Sequence, residues 1–526
     1  MNKINAQQPA LIISMMKPGL YIHPVEKCEL IETHISWVIL TGTYVYKIKK
    51  PVNLGFLDFS TLEKRHFYCD EEVRLNSRLA AEIYLEVVPI TGSVEHPQLA
   101  GKGPVIEYAV KMVEFPQQVQ LDRLLDAGQL HATYIDSIAK MISDFHQGIA
   151  IADNSMVYGS PEQVAQPVIE NFSQIREQYR GQIEEQAWPG ILEELQHWAE
   201  KSISSLHSLF TERKDGHYIR ECHGDLHLRN LAWLDNAPLA FDCIEFNPDL
   251  RWIDVISEVA FLTMDLQDRQ QPELAQRFLN AYLENTGDYA GTRVLTFYLL
   301  YRAMVRAKVD AIRACQAGIS EAEKIQAEDD LMSYLQLGES YIQPGSPKLI
   351  IAYGMSATGK TTLTQTLLEK LAAIRIRSDV ERKRLFGLPA EQDASAGTGA
   401  GIYSGDATQR TYMKLAELAG HVIDAGYPVI IDATCQNYEQ RDLFQRLASA
   451  KQVPYIILEF TAAVETLRER IVNREKGASD ADLAVLEHQI AHWQGLRDEE
   501  QIHVMLVDTE NSPAIEHLAE QIAHKA

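Results

Sequence analysis

The run Gly354-Met355-Ser356-Ala357-Thr358-Gly359-Lys360-Thr361 constrains the chain more than any other eight residues. It fits GxxxxGK[ST] without a mismatch, follows the apolar segment from Lys348 to Tyr353, and opens a helical pattern from Thr361 to Ala372. A glycine-rich turn between a strand and a helix aims backbone N–H groups and the positive end of the helix at an anion. The implied ligand is the polyphosphate of a nucleotide such as ATP. Lys360 would neutralise β- and γ-phosphate oxygens, and Thr361, assisted by Thr362, would offer a hydroxyl to Mg²⁺.

Downstream of this run the chain alternates strand and helix, with strand segments at Ile374–Arg377, Val429–Ile431, Tyr455–Phe460 and His503–Val507. That order predicts a parallel sheet flanked by helices. Asp379 and Asp432 each follow a strand, at the carboxyl edge where ligands bind. Asp432 suits a Walker-B-like role toward metal or water, and Asp379 that of a base toward a phosphate acceptor. Capping of the next helix is the plainer alternative for both. Arg468, Arg470 and Arg474 lie on a further helix, with Arg470 and Arg474 on one face. That helix runs into the polar loop Glu475 to Asp480, so an arginine-bearing lid is one reading and plain surface charge the other. Ala394 to Gly401 reads as a small-residue loop.

A second constellation lies upstream. His223-Gly224-Asp225-Leu226-His227-Leu228-Arg229-Asn230 is followed by two short apolar runs around the turn pair Asp235-Asn236, then by Phe241-Asp242. The runs predict a hairpin that returns Asp242 beside Asn230. Asp225 and Asn230 stand five residues apart, which lets one meet an acceptor hydroxyl while the other reaches a metal. Asn230 and Asp242 would supply oxygen ligands to Mg²⁺. Further upstream, two strands at 35–40 and 44–49 flank the turn Thr41-Gly42-Thr43, and the alternation puts Lys47 and Lys49 on one face. A helical pattern over 61–80 carries Phe67, Glu71, Leu75 and Leu79 at steps of four. Strands return at 83–89 and 105–113, and helices dominate from Leu121 to Leu337.

The upstream residues resemble the aminoglycoside-phosphotransferase family of kinase-like enzymes, which includes choline and fructosamine kinases. The likeness spans residues 30–340, with its motifs concentrated in 223–254. It implies that Asp225 is the catalytic base, that Asn230 and Asp242 hold metal, and that Asp254 is a structural aspartate. It implies that Lys47 contacts ATP phosphates with Glu72 as its partner, with Lys49 and Glu71 as one-step alternatives left open. The adenine hinge would lie near Val113 to Phe115. The family's glycine-rich loop is missing, since the turn before Lys47 carries only Gly42. The downstream residues resemble small P-loop kinases over 348–510, a group that includes gluconate kinases, zeta-type toxin kinases and polynucleotide 5′-kinases. There Arg377 to Arg384 resembles an acceptor-side motif, with Asp379 as base and Arg382 near substrate. The whole chain resembles bacterial fusions of the two, an α/β multidomain protein with a bilobal kinase-like half and a P-loop half. Gln343-Pro344-Gly345-Ser346-Pro347 is the linker candidate. It divides the chain into 1–343, with lobes meeting near residue 113, and 344–526, each expected to fold separately.

Bulk properties narrow the partners. A length of 526 residues allows about three or four folding units at ~150 residues each. The net charge of −24 disfavours general nucleic-acid binding, because phosphate backbones repel it. Small-molecule acceptors are the simpler expectation. The six cysteines form no CxxC pair, so a reducing cytoplasm is the simplest setting, and Cys222 and Cys243 read as small buried side chains. No stretch reaches the ~20 apolar residues a membrane helix needs. Arg302, Arg306 and Arg313 share a helical face that reads either as solvated charge or as the wall of an anion pocket. The leading expectation is a bifunctional, ATP- and Mg²⁺-dependent phosphotransferase. The alternatives are a regulatory ATPase with a kinase-like sensor and an RNA-end or toxin-like kinase in the second half. Oligomeric state and acceptors are not written in the residues.

Overall fold

A computed structural model describes residues 9–55, 57–178, 188–316, 318–390, 392, 402, 404–473, 482–511 and 514–525. The chain forms two compact units. One comprises residues 1–166 and 207–265, the other 167–206 and 266–526.

The first unit is built on a six-stranded antiparallel sheet. Its strands are β1 (Glu29–Glu32), β2 (Ser36–Leu40), β3 (Tyr44–Lys49), β4 (Tyr84–Gly92), β5 (Pro97–Leu99) and β6 (Val105–Val113), ordered β1-β2-β3-β6-β4-β5. Alternation buries Trp37 and Ile39 of β2 with Tyr46 and Ile48 of β3 in one cluster and leaves Lys47 and Lys49 on the other face. Helix Leu62–Asn76 is capped by Thr61, whose hydroxyl accepts from the Lys64 N–H, and it packs against β4 and β6. Its buried face is Arg65, Cys69, Glu72, Leu75 and Asn76. The stripe expected from periodicity differs, because Phe67 is 58% exposed and the helix ends before Leu79. The inward face is chosen by ion pairs, which an apolar count does not register.

The same unit holds β7 (Ile219–Glu221), the hairpin β8 (Leu231–Leu234) and β9 (Ala237–Ala240), and β10 (Trp252–Asp254), which pairs with β7. Asp235 and Asn236 turn the hairpin with φ of 49° and 62°. Two left-handed residues match the twist of a two-residue hairpin, and Asp and Asn tolerate that region. Asp254 receives Arg213 Nη2 at 2.8 Å and caps the following helix through the Ile256 N–H at 2.9 Å, so its role is structural.

The second unit contains a five-stranded parallel sheet of β11 (Leu349–Tyr353), β12 (Ile374–Arg377), β13 (Val429–Asp432), β14 (Tyr455–Thr461) and β15 (Val504–Asp508). Their order is β12-β13-β11-β14-β15. The central strand β11 is buried at every residue, the continuous apolar run expected of a strand covered on both faces. Ile350, Ala352, Ile430, Ile456 and Leu458 pack with Leu367 and Leu368 of the helix after β11.

Strand β12 is an edge, and side chains of the 266–291 segment close it. Asn280 Nδ2 donates to Ala373 O at 3.0 Å while its Oδ1 accepts from the Arg375 N–H at 2.7 Å. Gln276 Nε2 donates to Ala373 O at 2.7 Å, and Tyr289 Oη to Arg375 O at 3.3 Å. The asparagine thus occupies the hydrogen-bonding place of a further strand. A cut at 343/344, the division expected from the linker, passes through this unit. No described helix is long and apolar enough to cross a membrane. Arg302, expected on a solvated or pocket-lining face, is buried with its guanidinium over the Tyr301 ring.

Candidate functional sites

Charge in the first unit converges on Glu72. Lys47 Nζ lies 2.8 Å from its Oε1 and 2.6 Å from Asp242 Oδ1. Lys49 Nζ lies 2.7 Å from Glu72 Oε2 and also pairs with Glu245. The two-residue period of β3 delivers both lysines to one carboxylate. Burial alone would push the Glu72 carboxyl up, and the two ammonium groups override it and hold the group low. Glu71 turns away, to Arg74 at 2.8 Å and Arg251 at 3.5 Å. The structure therefore gathers Lys47, Glu72 and Asp242, and sets Lys49 behind them at 1% exposure.

Asp225 is partly exposed. Asn230 Nδ2 donates to its Oδ2 at 2.9 Å and to its backbone oxygen at 3.0 Å. His227 Nε2 stands 3.4 Å from the same carboxylate oxygen. The Phe241 N–H donates to Asn230 O at 3.0 Å, which ties the residue before Asp242 to the loop. Asp242 itself has φ of 62°, with its N–H on Tyr84 Oη at 3.1 Å and its carboxylate half exposed. Gly224 has φ of +89°, and a Cβ there would lie 2.8 Å from Leu250 O, so only glycine fits. His223 braces the loop by bonding Phe241 O at 3.0 Å, and burial pushes its pKa down.

The strongest brace is a residue that motif reading passes over. Glu258, fully buried, accepts from the His223 N–H at 3.0 Å, the Gly224 N–H at 2.6 Å and His146 Nε2 at 3.0 Å. Burial opposes its charge, but these bonds and the nearby imidazoles hold it at about 2. Near the expected hinge, Glu114 Oε2 accepts from the N–H groups of Thr41 and Gly42 at 3.0 and 2.7 Å. The turn that lacks a glycine-rich run is pinned by this carboxylate instead. Cys222 and Cys243 are buried, and burial pushes the Cys243 thiol up.

In the second unit Lys360, at the start of helix Lys360–Leu371, donates to Gly354 O at 2.8 Å and Met355 O at 2.7 Å. A Cβ on Gly354 would lie 2.7 Å from Phe460 O, which requires glycine there. Thr358 Oγ1 donates to Met355 O at 2.9 Å. Ala357, with φ of 66°, has its oxygen 3.3 Å from Arg470 Nη1. Ser356 is held by Gln489 in both directions, at 2.8 Å to its N–H and 3.0 Å to its hydroxyl. Thr361 Oγ1 donates to Asp432 Oδ2 at 2.7 Å. Thr361 and Thr362 are both exposed.

Asp379 opens helix Ser378–Leu385 beside Arg377. Arg382 is buried and donates to Ile402 O at 2.9 Å and Thr408 Oγ1 at 3.2 Å. Arg468 pairs with Glu487 at 2.8 Å, while Arg470 also donates to Thr509 O at 2.9 Å. Arg474, with the loop to Asp480, lies outside the described residues, as does the 394–401 stretch.

Comparison with known proteins agrees with these two constellations. Residues 115–295 match the phosphotransferase enzyme family, and residues 349–496 match an AAA domain family. Proteins described as uncharacterized from Mycobacterium tuberculosis (Rv2004c) and Mycobacterium bovis (Mb2027c) are each 30% identical over 477 residues, 90% of this chain and 92% of theirs. This chain belongs to their family. It is a fusion of an aminoglycoside-phosphotransferase-like domain with a P-loop kinase-like domain. Among solved structures, a choline kinase from Cryptosporidium parvum is 14% identical, with 63% of this chain and 95% of that one covered and a TM-score of 0.38. A sugar kinase from Janibacter is 19% identical, with 34% and 94% covered and a TM-score of 0.27.

Both matched domains are of kinase type, the class that works with ATP and Mg²⁺. The donor sets fit a hard cation. Thr361 and Asp432 bring a hydroxyl and a carboxylate together in one unit, and in the other the backbone bond from Phe241 to Asn230 sets Asp242 one residue beyond the Asn230 partner. Glu114 lies within the expected hinge and Arg377 opens the expected acceptor-side motif, though neither is singled out by the motif itself. Glu258 and Gln489 act from remote elements and carry no local pattern.

Proposed function

We propose that the chain is a bifunctional phosphotransferase, each half moving the γ-phosphoryl group of ATP to a hydroxyl of a small acceptor. The reading is supported by two arrangements, Lys47 paired with Asp242 one residue beyond the Phe241–Asn230 backbone bond, and Lys360 at the P-loop with Thr361 bonded to Asp432. Asn230 with Asp242, and Thr361 with Asp432, would hold Mg²⁺, which would supply positive charge against that developing on the transferred phosphoryl group. The residues do the rest by position.

In the first unit Asp225 accepts the proton of the acceptor hydroxyl, held in place by the Asn230 amide and by the loop that Glu258 fastens. The acceptor oxygen then bonds the γ-phosphorus in line as the bond to the β–γ bridging oxygen breaks, and ADP leaves. Lys47, released from Asp242, meets the phosphates while Glu72 keeps it oriented. In the second unit the P-loop N–H groups and Lys360 cradle the β- and γ-phosphates, and Asp379 takes the acceptor proton. Arg470 and Arg382 would supply the lid and acceptor side.

The test is a small-metabolite screen with labelled ATP and the full chain. Asp225→Ala and Asp379→Ala should each abolish labelling of a distinct product while ATP binding persists. Labelling that survives in both variants would overturn the reading, and steady ATP hydrolysis indifferent to every metabolite pool would favour a regulatory ATPase.

A further inference from the structure

Strand β12 carries Arg375 and Arg377 two residues apart, so both side chains leave the sheet on one face. A single carboxylate serves them. Glu284, on helix Pro272–Thr286, lies 2.8 Å from Arg377 Nη1 and 3.5 Å from Arg375 Nη2. Arg375 props the nucleotide-binding helix, donating to Thr361 O at 2.9 Å and Gln365 Oε1 at 2.9 Å. Arg377 Nε stands 3.9 Å from Asp432 Oδ2, and Asp379 adds to the field that holds its charge. Glu284 lies in the segment that matches the phosphotransferase family, yet within the compact unit that holds the P-loop.

We propose that Arg377 is a positioning residue of the P-loop site and that Glu284 sets how strongly its charge is felt there. The inference rests on the proposed binding of Mg²⁺ and ATP at the P-loop. Asp432 must serve a divalent cation together with Thr361, and a guanidinium 3.9 Å from Asp432 competes with that cation for its field. Glu284 draws the guanidinium away and neutralises it. A helix from the phosphotransferase-matching segment thereby tunes the metal affinity of the other catalytic centre.

Two neighbouring substitutions should act with opposite signs. Arg377→Gln removes the competing cation, so less Mg²⁺ is needed for half-saturation. Glu284→Gln, nearly isosteric, leaves Arg377 uncompensated beside Asp432, so more Mg²⁺ is needed. Each shift should be about threefold or more for a partly screened unit charge at this range. The double variant returns toward wild type, and Arg377→Lys, which keeps the charge, stays near it.

The experiment is calorimetric binding of ATP to the full chain across a Mg²⁺ series, following the component that Lys360→Met removes. Opposite shifts from the two single variants, with return in the double, support the inference. Shifts in the same direction, or none, overturn it and describe residues that only support the fold. If Lys360→Met removes no component, the P-loop reading fails first and this inference fails with it.

Discussion

Thr361 donates its hydroxyl to Asp432 at 2.7 Å, joining the first residue after the P-loop lysine to the end of β13. The bond pre-arranges the two oxygens that a metal-bound nucleotide would meet. Thr361→Val and Asp432→Asn should each weaken Mg²⁺-dependent ATP binding at this site by about tenfold or more, the scale of a lost charge-assisted contact. Binding of metal-free ATP should change far less. Equilibrium titrations with and without Mg²⁺ check this, and equal losses in both conditions would remove the metal role.

Lys47 and Lys49 share Glu72 but differ in surroundings, so their loss should differ in kind. Lys47→Met should abolish ATP binding at the first site with little change in thermal stability, because Lys49 still pairs with Glu72. Lys49→Met leaves Glu245 without its ammonium partner, deep in the core. Breaking one half of a buried ion pair costs about 3–5 kcal/mol, so this variant should unfold at clearly lower temperature. A stable Lys49→Met protein that fails to bind ATP would reverse the assignment.

Glu258 links the 223–230 loop to pH. Its folded value of about 2 lies below the ordinary 4.5, so its contribution is complete above pH 4.5 and fades as pH falls toward 2. A shift of that size corresponds to about 3 kcal/mol. Glu258→Gln should destabilise by a comparable amount at neutral pH and flatten the acid limb of the stability curve. Denaturant titrations between pH 3 and 7 measure both effects, and an unchanged acid limb would show that the charge is not what holds the loop.

The covered edge of β12 makes a fragment prediction. A chain beginning at residue 344 lacks Gln276, Asn280 and Tyr289, and its edge strand exposes the backbone groups they satisfy. It should self-associate or unfold at lower temperature than the same sheet in the full chain. In the full chain, Asn280→Ala should cost about 1–3 kcal/mol by leaving Ala373 O and the Arg375 N–H short of partners. A monomeric fragment as stable as the full chain would contradict this.

Much of the architecture was legible because it rests on local rules. The P-loop needs glycines at fixed places, and strand–helix alternation follows from hydrophobic period. The Asp235-Asn236 turn announces its hairpin, which returns Asp242 toward Asn230. What escaped is non-local. The choice of Glu72 over Glu71 depends on which helix face meets β3, and that face is selected by Arg65 and Glu72 rather than by Phe67. Glu258 braces a loop it does not adjoin in sequence, and Asn280 closes a strand almost a hundred residues later. Side chains that act on distant backbone leave no periodic or spaced signature.

The proposal of two nucleotide pockets of different construction requires that each take up its own ATP, and isothermal calorimetry of the full chain with ATP and Mg²⁺ is the sharpest check. Two equivalents should bind at saturation, with one lost in Lys47→Met, the other in Lys360→Met, and both in the double variant. A single equivalent or none, insensitive to either substitution, would contradict the presence of two pockets.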